Sequence, residues 1–286
     1  MALRLGDIAP DFEADTSKGP IRFHDYINNS WAILFSHPDD YPACGTLAGN
    51  EFDSPLTSQT PVCTTELSAV ALSYADFQSR GVKLIGLSAN DVSSHAGWIK
   101  DIDNLAPGSA NVDFPIIADA DRKVSTLYGM LDNLDKTNVD KKGIPFTVRT
   151  VFVIDPAKQI RLTIAYPAST GRNFPELLRV IDSLQLGDKY KITTPANWQP
   201  GEKVIVHPSV QGEKVKELFG DKVETVYSLR HVGFTLAAPV SSPLPSAFSH
   251  FMILLRVRSA SILLPHPHSI TPYSLTPSVL HNPSPP

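Results

Sequence analysis

The chain has 286 residues, 42% of them hydrophobic, and a formal net charge of −4, which allows one substantial core with a smaller unit appended. That charge balance offers no global basic surface of the kind phosphate neutralisation demands, so nucleic acid is excluded as a partner. Two cysteines, Cys44 and Cys63, are too few for a disulfide framework; in a reducing compartment each is either a buried small hydrophobe or a reactive thiol.

The first residues, Met1 to Asp7, hold no apolar run of signal-peptide type, and the expected location is cytoplasmic. Ile21 to Phe23 and Trp31 to Phe35 read as strands, the second a continuous apolar run between Asn28-Asn29 and His37-Pro38. From Cys63 through Tyr74 the apolar residues recur at helical spacing, with Thr and Glu in the first turn, which puts Cys63 at or near a helix N-terminus. Val82 to Ser88 is a buried strand, Ser93 to Ile102 a helix, Phe114 to Ile117 extended, and Arg122 to Tyr128 helical again. Thr147 to Ile154 and Gln159 to Ala165 flank the turn Asp155-Pro156-Ala157-Lys158 and form a hairpin. Strands alternating with helices and closing on a hairpin describe an α/β protein with a thioredoxin-like sheet flanked by helices.

Arg172 to Leu186 is a further amphipathic helix, after which Pro195, Pro200 and Pro208 divide the chain into short pieces up to about Ser228. The domains expected are residues 3–168, a small C-terminal unit over 169–229, and a tail over 230–286. In the tail no Asp or Glu occurs, Pro, Ser and Leu dominate, and the expectation is disorder. Its apolar stretch, Phe251 to Leu264, contains Arg256 and Arg258 and is too short for a membrane span. His266 and His268 have no Cys, Asp or Glu beside them, and no metal site is assigned.

The thiolate is the attacking form of cysteine, and a helix N-terminus stabilises it with partial positive charge and free N–H groups. Reduction of a peroxide asks for more. As sulfur attacks one oxygen the other leaves with developing negative charge, so donors must converge on both; the hydroxyl of Thr60, three residues upstream, and a distant arginine meet that need.

The residues Thr60-Pro61-Val62-Cys63-Thr64-Thr65-Glu66, with Phe35-Ser36-His37-Pro38 upstream, resemble the peroxidatic motif of peroxiredoxins, in the one-cysteine, peroxiredoxin-6-like subfamily of the AhpC/TSA family. The resemblance continues through Gly143 to Arg149 and Tyr166 to Phe174, and covers roughly residues 3 to 228. It implies a thiol-specific peroxidase and antioxidant enzyme reducing hydrogen peroxide and organic hydroperoxides, with Cys63 as the nucleophile that becomes a sulfenic acid. By the same resemblance Thr60 orients the peroxide, Arg149 favours the thiolate and stabilises the transition state, Glu66 holds Arg149, and His37 and Pro38 line the pocket. The two-cysteine members carry a later Val-Cys-Pro; nothing like it follows Cys63 here. The resemblance therefore implies regeneration by an external thiol, glutathione with glutaredoxin or thioredoxin, with no bound cofactor, and a homodimer paired through the C-terminal unit.

Two departures from the pattern matter. Residues 42–59, rich in Gly, Ser, Thr and Pro, stand between Tyr41 and Thr60 where similar proteins run on directly; they read as a loop, and loop-closure entropy grows slowly enough for the fold to persist. Cys44 lies in that segment. If the insertion disables the site, the alternative is a catalytically impaired peroxiredoxin-like scaffold acting as a chaperone or in redox signalling. Some similar proteins also hydrolyse phospholipids through a Ser-His-Asp set. Here Ser30 and His24 stand at two of those positions but Ala157 replaces the acid, with Asp155 two residues away, and without an acid the histidine is not oriented.

Overall fold

The computed structural model describes residues 3–40, 61–105, 112–226 and 229–232. The inserted stretch 42–59 with Cys44, the residue Thr60, and nearly all of the expected tail lie outside them.

The chain opens on a short ribbon, β1 (Glu13–Ala14) with β2 (Ile21–Arg22), and continues directly into α1 (Phe23–Ile27). Phe23 thus begins a helix where the sequence suggested the end of a strand. Asn28 closes α1 with a positive φ of 47°, a sign that asparagine adopts more readily than most residues, and β3 (Trp31–Ser36) follows.

Next come α2 (Pro61–Leu72), α3 (Tyr74–Ser79), β4 (Val82–Ser88), α4 (Val92–Leu105), β5 (Ile116–Ala118), α5 (Lys123–Leu127), β6 (Arg149–Ile154) and β7 (Ile160–Tyr166). The five-stranded sheet has the order β5-β4-β3-β6-β7; β3, β4 and β5 run parallel, while β6 is antiparallel to both β3 and β7. The hairpin between β6 and β7 closes where expected: Lys158 N donates to Asp155 O at 2.9 Å, with Lys158 at φ 68°.

Both faces of this sheet are covered, which is why its central strands read as unbroken apolar runs rather than as alternation. Ile33, Phe35, Val151 and Val153 point to the face packed by α2, α3, α4 and α6 (Phe174–Tyr190), among Leu67, Phe77, Trp98, Ile102, Leu177 and Ile181. The residues between them, Ala32, Leu34, Phe152 and Ile154, point to the other face with Phe23 and Ile27 from α1, Val124 from α5 and Tyr128 just after it. Along α2 the buried positions are Cys63, Glu66, Leu67, Val70 and Ala71. These fall at the helical spacing i, i+3, i+4, i+7, i+8, with a carboxylate, unusually, among them.

Beyond α6 the chain forms β8 (Ile192–Thr193), β9 (Val204–Val206), α7 (Glu213–Phe219), a 3₁₀ turn over Gly220–Lys222, β10 (Val223–Val226) and β11 (Leu229–Val232). The four strands make a second, antiparallel sheet of order β10-β11-β9-β8 around Leu186, Ile192, Trp198, Val204, Val206, Val215 and Phe219. Its core shares α6 with the first: Phe174, Leu177 and Ile181 pack into the large core and Leu186 into the small one. Three residues of the segment read as tail are paired: Arg230, His231 and Val232 pair with Thr225, Glu224 and Val223, and His231 and Val232 also pair with β9. Composition does not show this pairing because a short strand is held by its partners, not by its own residue content.

Candidate active site

The carboxyl ends of β3 and β4 and the start of β6 meet at one edge of the sheet, the position at which open α/β sheets place ligands. Cys63 approaches this edge as the third residue of α2, whose first residue, Pro61, suits a position with no helical N–H to satisfy. The thiol is buried, at 2% exposure.

Arg149, fully buried as the first residue of β6, donates from Nη1 to the Cys63 Sγ at 3.3 Å and to Glu66 Oε2 at 2.7 Å, and from Nε to the Ala168 carbonyl at 2.8 Å. Its remaining nitrogen, Nη2, is buried and bonds none of the described residues. Glu66, one helical turn after Cys63, also accepts from Arg172: N at 2.7 Å, Nε at 2.9 Å and Nη2 at 2.8 Å. Arg172 in turn donates to the Ser36 carbonyl at 2.8 Å and lies over the Phe35 ring, 5.1 Å from its centroid. One carboxylate between two guanidiniums leaves the cluster with a net positive charge beside the sulfur.

Burial works against the charge on Glu66, but Arg172, by its charge and its hydrogen bonds, and Arg149 after it hold the carboxyl below its ordinary value near 4.5. A carboxyl depressed in the folded state stabilises the fold above its unfolded value, and that contribution is lost as pH falls through the folded value. The thermal midpoint is therefore expected to drop as pH is lowered from about 5 to about 3, and Glu66→Gln to show a shallower drop from a lower starting point. Melts across that range check it; an equal slope in the variant would remove Glu66 from the acid response.

His37 is buried against Trp98, with ring centroids 4.9 Å apart, and Nε2 lies 3.1 Å from Asp40 Oδ1. Pro38 is buried beside it. Trp98 donates from Nε1 to Thr64 Oγ1 at 3.3 Å, which ties α4 to the first turn of α2. Of the residues read from the sequence, then, the fold brings Cys63, Arg149 and Glu66 into direct contact and places His37 and Pro38 at the same end of the sheet. Arg172, Asp40 and His95 were missed. Arg172 lies within the Tyr166–Phe174 stretch that carries the resemblance, but nothing local to it signals its contact with Glu66, and the contacts of the other two join residues up to 55 positions apart, which a single sequence does not reveal.

The hydrolytic set is not assembled. His24 Nε2 donates to the Ala9 carbonyl at 2.8 Å, and Asp155 accepts from the Gln159 backbone N–H and from Arg161 Nη1.

Comparison with known proteins agrees with this geometry. The AhpC/TSA family matches residues 56–163, and the C-terminal domain of 1-Cys peroxiredoxin matches residues 183–221. A probable 1-Cys peroxiredoxin of Syntrichia ruralis is 46% identical over 222 residues, 78% of this chain and 92% of the relative, and Peroxiredoxin-6 of Rattus norvegicus is 47% identical over 78% of this chain and 91% of its own. Among solved structures, Peroxiredoxin 6 of Arenicola marina superposes with a TM-score of 0.70 at 43% identity, covering 81% of this chain and 98% of that one. A thioredoxin-like sheet with a buried thiol beside a guanidinium, together with these matches, defines a thiol-dependent peroxidase, an oxidoreductase. The chain belongs to the one-cysteine peroxiredoxins.

Proposed function

We propose that Cys63 is the peroxidatic nucleophile and that Arg149 is its principal electrostatic partner. The observation that carries this reading is the Arg149 guanidinium: Nη1 donates to the sulfur while Nη2 is left buried and unpaired among the described residues. A buried N–H without an acceptor costs roughly 1–3 kcal/mol, and a peroxide oxygen beside the sulfur supplies the acceptor. Nη1 then stabilises the attacking sulfur and Nη2 the oxygen on which charge develops. Glu66, fixed by Arg172, holds the guanidinium in register, and Thr60, outside the described residues, is assigned the second donor to the peroxide. His37 and Pro38 wall the pocket.

Hydrogen peroxide and organic hydroperoxides are the substrates. Attack forms the S–O bond and breaks the O–O bond, leaving a sulfenic acid on Cys63 and releasing water or an alcohol. No second cysteine follows, so an external thiol completes the cycle; a solved yeast mitochondrial 1-Cys peroxiredoxin, 45% identical with a TM-score of 0.67, is described as resolved through glutathione/thioredoxin systems, and the same reductants are assigned here. The enzyme is assigned to the cytoplasm, a reducing compartment, as a homodimer; among the described residues no helix is long and apolar enough to cross a membrane.

The test is chemical trapping. Reduced protein mixed with one equivalent of hydrogen peroxide and a dimedone-type reagent is expected to carry one adduct per chain, on the peptide containing Cys63. The same experiment on a variant lacking residues 42–59 separates two outcomes: equal rates mean the insertion leaves the site intact, while labelling confined to the deletion variant means this chain holds the site in a disabled form. An adduct on Cys44 alone would overturn the assignment.

A further inference from the structure

Asp40, four residues beyond β3, is the hub of a buried polar cluster of which the peroxidase reading uses only His37. His37 Nε2 at 3.1 Å and Ser88 Oγ at 3.0 Å fall on Oδ1, and His95 Nδ1 at 2.7 Å and Ser94 Oγ at 2.8 Å fall on Oδ2. Its backbone N–H donates to Asn90 Oδ1 at 2.9 Å. Asp40, His37 and His95 are each no more than 2% exposed. Contacts from the end of β4 and from α4 thus fix the carboxylate on both oxygens, and it has no freedom to rotate away from His37.

This geometry dictates the tautomer of His37. An ionised carboxylate only accepts, so Nε2 carries the hydrogen, and a neutral ring then presents Nδ1 as a bare lone pair. That Nδ1 is buried and bonds none of the described residues. The ring packs on Trp98, which donates to Thr64, the neighbour of Cys63 in α2. An unpaired acceptor therefore sits at the end of the sheet where β6 begins with Arg149, whose Nη2 is a buried donor without a partner among the described residues.

We propose that Asp40 is a positioning residue: it holds His37 as the Nε2–H tautomer, so that Nδ1 accepts a hydrogen bond from the O–H of the incoming hydroperoxide and aligns that oxygen for attack by Cys63. This rests on the reading of Cys63 as nucleophile. In the step, the sulfur electron pair forms the S–O bond to the oxygen bearing the hydrogen, the O–O bond breaks, and its pair leaves on the distal oxygen, which takes a proton from water. The hydrogen bonded to Nδ1 stays on the oxygen that joins the sulfur, giving the sulfenic acid, and His37 ends in the protonation state in which it began.

Protonation of Nδ1 would abolish the acceptor. Burial disfavours that, pushing the imidazole below its ordinary value, and His95 and Arg172 add to the effect by their charge, while Asp40 opposes it. Asp39, whose own carboxyl burial pushes up, also interacts with the ring by charge. Removing the Asp40 charge therefore keeps His37 neutral to lower pH, yet frees its tautomer.

The test reads the tautomer directly, by nitrogen NMR of the histidine rings in the reduced full chain, with His37 identified by its absence in His37→Gln. The wild type is expected to show an unprotonated Nδ1 and a protonated Nε2. In Asp40→Asn the two nitrogens should share the hydrogen, and the second-order rate with hydrogen peroxide should fall about tenfold, the worth of one hydrogen bond. The part of the acid limb that belongs to His37 should move to lower pH, and Asp40→Glu should recover the tautomer and part of the rate. A protonated Nδ1 in the wild type overturns the proposal whether or not Asp40→Asn folds, and so does an unchanged tautomer in a folded Asp40→Asn that has lost rate. Peroxide consumption that survives Cys63→Ser would instead strike at the nucleophile assignment, which keeps the two failures apart.

Discussion

Cys63→Ser is expected to abolish peroxide reduction, with a loss in kcat/KM of about a thousandfold or more, whereas Cys44→Ser leaves the rate within about twofold. A hydroxyl in place of the thiol keeps nearly the same volume in a site that is 2% exposed, so the fold is undisturbed and the loss is chemical. At neutral pH a serine hydroxyl supplies almost no oxyanion, and the Arg149 donor 3.3 Å away does not change that by enough. Initial rates by stopped flow with hydrogen peroxide and with an alkyl hydroperoxide decide it. Turnover retained by Cys63→Ser would remove the thiol from the reaction, and turnover lost in Cys44→Ser would bring the inserted segment into it.

The parts of this enzyme legible from the sequence are those written locally. Val82–Ser88 is found as a strand with the bounds expected, because an apolar β-branched run ending before a turn carries its own boundaries. The helix at Cys63 and the hairpin around Asp155 are legible for the same reason: capping and turn residues stand beside them in the chain. Phe23 was misread because a five-residue helix has too few residues to express a period, and it is held by tertiary packing of Phe23 and Ile27. The strand at Leu229–Val232 was missed because its pairing with β9 reaches back more than twenty residues.

The site divides along the same line. Cys63, Arg149 and Glu66 are singled out by motif resemblance, and the fold brings them together through Arg149 Nη1. Arg172 carries three of the four bonds to Glu66, yet its helix-initiating position in the sequence masked it. Asp40 and His95 look like ordinary surface residues when read singly. Only β3, β4 and α4 together put them on one another, and no local pattern encodes that meeting.

Arg149 and Glu66 are expected to separate catalysis from stability although they touch. Arg149→Leu takes the donor from the sulfur and from the peroxide, which should slow the peroxide step about 10²–10³-fold, the usual effect of deleting one preorganised donor at a developing charge. It leaves Glu66 bonded to Arg172 through three hydrogen bonds, so the carboxylate is still compensated and the melting temperature should move little. Arg149→Lys keeps the charge, but an ammonium has no planar fork with which to span Ala168, Glu66 and the sulfur together; its rate should fall between those of the wild type and Arg149→Leu. Glu66→Leu does the opposite. Two buried guanidiniums are left facing each other with no carboxylate between them, and breaking a buried pair in this way costs about 3–5 kcal/mol. Urea unfolding alongside single-turnover oxidation gives both numbers for each variant. Should Arg149→Leu prove as destabilised as Glu66→Leu while its per-molecule rate stays near wild type, the guanidinium would be a structural ion-pair partner, and the electrostatics of the peroxide step would have to come from the helix terminus and Thr60.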